Sequence, residues 1–379
     1  MPTAGSYLPW ITITHTVPQI GFSASIGLGL VVVFLNFCGA QNKFGPYKYI
    51  VNSFTILGVI FAIVEVVVYP NVHNYNAGFL FYTLAEPFGV IDMNLRKIFL
   101  ASYTFFYAAT VALLATQFIY RYWAIFDACK LRYFKGFYWL FCSAFCSFFG
   151  LQYALGTFHL FEMDTVSTEY YRDEIQYRYG WNISEIPAMA LVAYDPSNGM
   201  VRWKNVAGVI NIVFIVISLY GIMMFCGWSM YFKMEEKIRN FSDELKKHQK
   251  QLFKTLVLQI TAPTIVLFTP LFVIILLPLF NPHVSLPSGA FLCSFTLYPA
   301  MDSIIVMYVV SQYRQTARKL CQDFRKSMES FRHSRATVHC SVPTTSAQVA
   351  LQQDPLDGQS NVARLSDTQS VIQIFSEDL

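Results

Sequence analysis

Charge is scarce in this chain. Asp, Glu, Lys and Arg supply 13% of its 379 residues, about half the share of an ordinary soluble domain, which excludes a typical water-soluble enzyme. Cysteine is missing from one place rather than from the whole. Of the eight cysteines, Cys142, Cys146 and Cys293 fall inside apolar runs, and Cys38, Cys129, Cys226, Cys321 and Cys340 at or beyond their basic ends. None falls in the less basic connecting segments, so no disulfide can staple those segments. There is no His-Glu-x-x-His, no phosphate-binding Gly-Lys loop and no paired-cysteine motif. His15, His73, His159, His248 and His283 are too scattered to suggest a site. No metal, cofactor or catalytic centre is therefore expected. Solenoid repeats and matched transporter-like halves are also missing, and a net charge of +4 divided by side gives no nucleic-acid patch.

What is present is apolar. Hydrophobic residues make up 55% of the chain and mean hydropathy is +0.42. Seven stretches are long enough to cross a bilayer: His15–Phe37, Tyr49–Tyr69, Ile98–Ile119, Phe137–Phe158, Asn205–Trp228, Thr255–Phe280 and Leu286–Val310, interrupted only by Glu65 and Asp302. Connecting segments alternate between basic and non-basic, and 21 of the 27 Lys and Arg fall on one side. The positive-inside rule then places the amino terminus outside and the carboxyl terminus in the cytoplasm. The expected fold is an all-α membrane protein, a seven-helix bundle. Residues 1–14 form an outer terminus, 15–310 the bundle, 311–333 a surface helix and 334–379 a cytoplasmic tail. No basic leader precedes the first run, which is of full span length, so an uncleaved first span is expected.

The long outer segment Thr157–Lys204 is acidic but rich in Tyr and Trp, and is expected to fold. From about Ser341 the tail is too polar to offset chain entropy, and disorder is expected. Tyr313, Ala317, Leu320, Phe324, Met328 and Phe331 share one helical face, an amphipathic helix for the inner leaflet. Cys321 is placed there for palmitoylation or as a free thiol.

Short motifs at the span edges resemble one family, the nematode serpentine chemoreceptors of class r, or Str, which includes olfactory receptors. They are Gly45-Pro46-Tyr47-Lys48-Tyr49 and Pro70-Asn71-Val72-His73 around the second span, and Tyr120-Arg121-Tyr122 ending the third. In the sixth span they are Leu256-Val257-Leu258-Gln259 with Pro263, and in the seventh Tyr298-Pro299-Ala300-Met301-Asp302 followed by Tyr313-Arg314. The resemblance runs from about Gly21 to Arg318, with Glu65 where aspartate is expected. It implies a G-protein-coupled receptor of rhodopsin-like topology. Such a receptor would bind an external odorant or soluble cue, activate a heterotrimeric G protein, and reside in the plasma membrane of chemosensory neurons, in their sensory cilia. Its partners would be that ligand, the G protein, membrane lipid and a second receptor copy. The competing functions are a ligand-gated cation channel of insect odorant receptor type, with an inverted amino terminus, and a small-molecule transporter.

On that resemblance Arg121 is the switching arginine, flanked by Tyr120 in place of the usual acid and by Tyr122. Read from position alone, it is a cation that snorkels to the headgroups. Asp302, after the helix-loosening Pro299, reads as part of a hinge, and Glu65, near an outer helix end, as a structural hydrogen bond or a ligand contact. Phe99, Tyr103, Phe106, Tyr107 and Thr110 share one face of the third span, the wall of a pocket or simply packing. Gly21, Ser25 and Gly29 have small-residue spacing that suits internal packing or dimerisation. Pro263, Pro270 and Pro278 predict a kinked sixth span.

Two Asn-x-Ser sequons test the orientation without a ligand. Asn182 lies in a segment read as outer and Asn240 in one read as inner, and sugar is added only on the luminal side. In a glycosidase gel shift, Asn182→Gln is expected to abolish the shift and Asn240→Gln to leave it. The reverse pattern would place the amino terminus inside.

Overall fold

A computed structural model describes residues 6–38, 47–134, 136–238, 246, 257–281, 283–309, 313–319, 322, 325 and 326. The chain divides into two compact units, Met1–Asp323 and Phe324–Leu379; of the second, only Arg325 and Lys326 are described. Cys321, Asn240, the tail 334–379 and most of the segment 311–333 lie outside the described residues, although 313–319 is helical.

Among the described residues, seven helices are long and apolar enough to cross a membrane: Leu8–Phe37, Tyr49–Val68, Met93–Phe126, Gly136–Leu160, Trp203–Lys233, Val257–Phe280 and Gly289–Tyr308. The first begins at Leu8 rather than His15, and the third extends past both ends of its apolar run, to Phe126 at its carboxyl end and to Met93 at its amino end, where Asp92 caps it, its carboxylate accepting from Leu95 N–H at 2.9 Å. The third span is the axis of the bundle, with 72% of its apolar window buried against 33% for the first and fourth. On the fourth span, Phe141, Phe148, Leu151 and Leu155 form an exposed apolar stripe at helical spacing, as a lipid-facing surface requires. The small residues of the first span face inward. Gly21 packs against Thr296 so closely that a Cβ would stand 2.9 Å from its Cβ, and Ser25 Oγ donates to the Thr296 carbonyl at 3.3 Å.

The sixth span is irregular where its prolines fall. Thr264–Phe268, between Pro263 and Pro270, is a wide π turn. Pro270 has no N–H to donate, and its ring would crowd the carbonyl one turn back, so the ladder opens there. Thr269 N–H and hydroxyl both satisfy the Thr264 carbonyl, the hydroxyl at 2.7 Å. A tight turn at Leu277–Phe280 follows around Pro278.

Hydropathy did not anticipate a four-stranded antiparallel sheet over the end of the bundle opposite Arg121. Its order is β3-β2-β1-β4, with β1 Pro70–Tyr75, β2 Gly78–Thr83, β3 Ala188–Val192 and β4 Ser285–Leu286. Tyr69, at a left-handed φ of 45°, and Pro70 end the second span. Asn76, also at φ 45°, turns β1 into β2, with Tyr75 opposite Gly78. Strand alternation then gives the sheet two apolar faces. Phe79, Phe81, Met189 and Leu191 join the bundle core, whereas Leu80, Tyr82, Ala188, Ala190 and Val192 pack under a helix, Thr165–Tyr179, of the long outer segment. Gly78 lies where a Cβ would collide with the Tyr171 hydroxyl, which donates to the Leu191 carbonyl at 3.0 Å.

That loop helix is capped at both ends. Asp164 and Ser167 form a capping box, and Gly180 at φ 75° closes the carboxyl end. Its Glu174 carboxylate gathers the outer elements in place of a disulfide. Ser285 Oγ donates to Glu174 Oε1 at 2.6 Å and Arg178 Nε at 2.9 Å, and His73 Nε2 lies 3.5 Å from the same oxygen. Tyr7 donates to the Ser285 carbonyl at 2.9 Å, its ring lies 4.8 Å beneath the Arg178 guanidinium, and the Tyr179 hydroxyl lies 3.2 Å from His73 Nδ1. The amino-terminal segment, β1, the loop helix and β4 thus meet at one charge.

Burial opposes ionisation of Glu174, but the contacts with His73, Ser285 and Arg178 outweigh it and hold the carboxyl down to about 2. Burial lowers the pKa of His73 despite the neighbouring carboxylate. Both shifts act in the same direction. The fold resists protonating His73, so stability falls as pH drops below the usual histidine value of about 6.5. The Glu174 contribution, complete above about 4.3, is lost toward about 2. Proteolysis of the 157–204 segment is therefore expected to accelerate as pH falls from about 6.5 toward 4.3 and again below about 4.3. Glu174→Ala is expected to be digested several-fold faster than wild type even at neutral pH. Equal rates across the upper interval would remove His73 from this account.

Candidate functional site

Beneath the sheet the spans enclose a cavity of about 50 Å³, several times the roughly 10–15 Å³ that one water requires and far short of room for a peptide. Val72, Phe79 and Phe81 of the sheet form its outer wall. Tyr103, Thr104 and Tyr107 come from the third span, Tyr153 and Thr157 from the fourth, and Leu271, Ile274 and Ile275 from the sixth. The lining is apolar apart from hydroxyls, and Tyr103 Oη, Tyr107 Oη and Thr157 Oγ1 are buried without a hydrogen-bond partner. Phe61 stacks on Tyr103 with ring centroids 5.3 Å apart, and Phe295 on Tyr107 at 5.2 Å, which fixes both rings.

The five residues read as one helical face do not all reach this cavity. At about 100° per residue, Thr104 lies one step round the helix from Tyr103 and Tyr107 about 40° round in the same direction, and these three form the wall. Phe99, Phe106 and Thr110 lie on the other side of Tyr103 and are not among the lining residues. Thr110 is buried and donates back to the Phe106 carbonyl at 2.8 Å, while Phe99 meets Phe88 with centroids 6.0 Å apart. Glu65, 1% exposed, stands behind the Tyr103 wall.

At the opposite end a second polar cluster joins three spans. Gln259 Nε2 donates to Asp302 Oδ1 at 2.6 Å, linking the sixth span to the seventh. The Arg121 guanidinium, 5% exposed, acts electrostatically on the same carboxylate. Arg121 is thus turned into the bundle. Tyr120 is buried against Phe134 with centroids 5.0 Å apart, and Tyr122 is half-buried beside Phe225 at 5.9 Å. Pro299 lies three residues before Asp302, where its carbonyl accepts from Ser303 Oγ at 2.9 Å. Nearby, Asn36 Nδ2 donates to Asn52 Oδ1 at 2.6 Å, and the Tyr313 hydroxyl donates to Asn36 Oδ1, tying the first two spans to the segment after the seventh. Asn182 lies on the outer segment as an N-cap residue, accepting from Ser184 N–H at 3.1 Å. Among the described residues no group of three or more potential ligands is placed to hold a metal.

Residues 14–318 match the family described as "Serpentine type 7TM GPCR chemoreceptor Str". The chain belongs to this family. Among its relatives, the "G-protein coupled receptor str-33" of Caenorhabditis elegans is 33% identical over 80% of this chain and 89% of its own length. The "Serpentine receptor class r-10" proteins of Caenorhabditis briggsae and Caenorhabditis elegans are each 28% identical. They cover 85% and 88% of this chain, and 95% and 98% of their own lengths. The protein is thus a seven-helix membrane receptor of the chemosensory G-protein-coupled class, a family of receptors rather than enzymes.

In this Str receptor, the sequence marks Tyr103, Tyr107, Arg121 and Asp302 but not several of their neighbours. Thr104, Tyr153 and Thr157 carry no charge or motif that marks them. Gln259 stood within a family motif, and the available signal was its amide inside an otherwise apolar span. Phe79 and Phe81 were hidden because their strand was not recognised. Replacing Tyr107 by Ala removes a ring stacked on Phe295 and opens the wall; the agonist concentration for half-maximal response is expected to rise roughly tenfold or more, equivalent to about 1.4 kcal/mol. The same measurement on Phe106→Ala, outside the wall, is expected to show little change. Equal potency for wild type and Tyr107→Ala would separate the cavity from ligand binding.

Proposed function

We propose that this Str receptor binds a small external chemical in the cavity beneath its outer sheet and passes the signal to a heterotrimeric G protein at the cytoplasmic end. The carrying observation is the cavity itself, apolar with a few unpaired hydroxyls, the composition of a small-molecule site. The sixth span contributes Leu271, Ile274 and Ile275 to the wall and, on the far side of the wide turn, Gln259 to the Asp302–Arg121 cluster. A ligand that fits one arrangement of the upper half better than another shifts the population of both. Movement of the lower half would break the Gln259–Asp302 hydrogen bond and open a surface beside Arg121. In this reading the amino terminus is outside and the receptor acts in the plasma membrane of a sensory cell, at its cilium.

The test is expression in cells carrying a Gα-activation reporter, with whole-cell current recorded in parallel, while volatile and soluble chemicals are applied. Agonist-driven Gα activation without current is the expected result. Arg121→Ala is expected to abolish that activation while surface expression stays largely intact. Unchanged signalling by the variant would return Arg121 to a structural role, and ligand-gated current without Gα activation would favour the channel.

A further inference from the structure

Glu65 is buried among hydroxyls and a thiol, with no opposite charge beside it among the described residues. Its side chain is 1% exposed near the outer end of the second span, and both carboxyl oxygens lack a hydrogen-bond partner. None of the ion pairs among the described residues includes it. Its neighbours are the Tyr103 and Thr296 hydroxyls and the Cys293 thiol. Two of these direct their hydrogens elsewhere, Thr296 to the Cys293 carbonyl at 3.2 Å and Cys293 to the Ala290 carbonyl at 3.1 Å. The third, Tyr103 Oη, has no partner and belongs to a residue of the cavity wall. An ionisable group held inside a span without an opposite charge is a functional signal, because a low-dielectric interior penalises the uncompensated charge.

We propose that Glu65 is the counter-ion for a small protonated amine whose alkyl body fills the cavity. The inference rests on the cavity being the receptor's ligand site. An ammonium at the Tyr103 wall brings the missing positive charge. It also supplies three donors, one each for Glu65, Tyr103 and Tyr107, and the stacked rings of Tyr107 and Phe295 offer π faces to the same cation. The remaining wall, from Phe79 and Phe81 to Leu271 and Ile275, is apolar and suits a short hydrocarbon. A neutral alcohol of the same skeleton fills the space equally well but leaves Glu65 without an opposite charge. The discrimination therefore resides in the head group.

The test measures direct binding, so that it does not depend on G-protein coupling. Purified full-length receptor in nanodiscs is followed by thermal unfolding with n-butylamine and isoamylamine, and with n-butanol and isoamyl alcohol. A ligand selective for the folded state raises the midpoint in proportion to its occupancy. The amines are expected to stabilise wild type at concentrations roughly tenfold or more below the matching alcohols. Glu65→Gln is expected to erase that difference while the alcohol response persists, Glu65→Asp to retain it, and Tyr103→Phe to reduce it. The Gα reporter, run separately with the same compounds, reads the receptor function itself. Amines no better than alcohols on wild type, or an amine advantage intact in Glu65→Gln, would overturn the counter-ion assignment. Stabilisation without Gα activation would leave that assignment standing and count against the signalling reading instead.

Discussion

Backbone hydrogen bonding along β2 holds the sheet-bearing half of this receptor together. β2 pairs on both sides, with β1 after the second span and with β3 before the fifth, and β1 in turn carries β4 on its other edge, so distant connections become one layer. Everything above and below that layer follows from strand alternation. Leu80 and Tyr82 turn outward to seat the loop helix, and Phe79 and Phe81 turn inward to close the cavity. With no cysteine available on this side, the layer is secured by shared partners. Glu174 collects His73, Arg178 and Ser285, and Asn205 joins the fifth span to the sheet by accepting from Val192 N–H at 3.3 Å and to the fourth by donating to the Leu160 carbonyl at 2.8 Å. A neutral bond of this kind contributes about 1 kcal/mol net and one to the Glu174 carboxylate about 1.5–3 kcal/mol, so the cap is held by several interactions together.

Polar groups inside the bundle are few, and their placement divides the molecule. In a low-dielectric interior an unsatisfied polar group is costly, and a satisfied one is correspondingly specific. Glu65 and the tyrosine hydroxyls sit under the sheet, while Gln259, Asp302 and Arg121 sit at the opposite end. The third span carries Tyr103 and Tyr107 at one end and Arg121 at the other, and as the most buried helix it is the common frame for both clusters. The sixth span has residues in both as well, but it is broken midway.

The seven spans were legible in the sequence because a bilayer demands about 20 apolar residues in a row, a signal too long to imitate by chance. Strands β2 and β3 were not. Gly78-Phe-Leu-Phe-Tyr-Thr83 and Ala188-Met-Ala-Leu-Val192 are buried on both faces, so they show neither polar alternation nor helical periodicity. Tyr103 and Tyr107 were found because they lie at i and i+4, but a helix periodicity does not reveal which side its neighbours leave open. The inclusion of Phe99, Phe106 and Thr110 in the expected wall, and the omission of Thr104, amount to a rotation of the helix face. The partnership of His73 with Glu174 was out of reach, since it depends on how the sheet folds over the bundle.

The wide turn at Thr264–Phe268 puts the two halves of the sixth helix out of phase. A π turn holds one more residue than an α turn, and one residue is worth about 100° of rotation. The direction in which Gln259 points is therefore set independently of the direction in which Leu271, Ile274 and Ile275 point. Losing or gaining a single residue there would turn one half against the other without unthreading the span. Descendants of this sequence could thus retune what the upper half meets while the lower half keeps its register with Asp302.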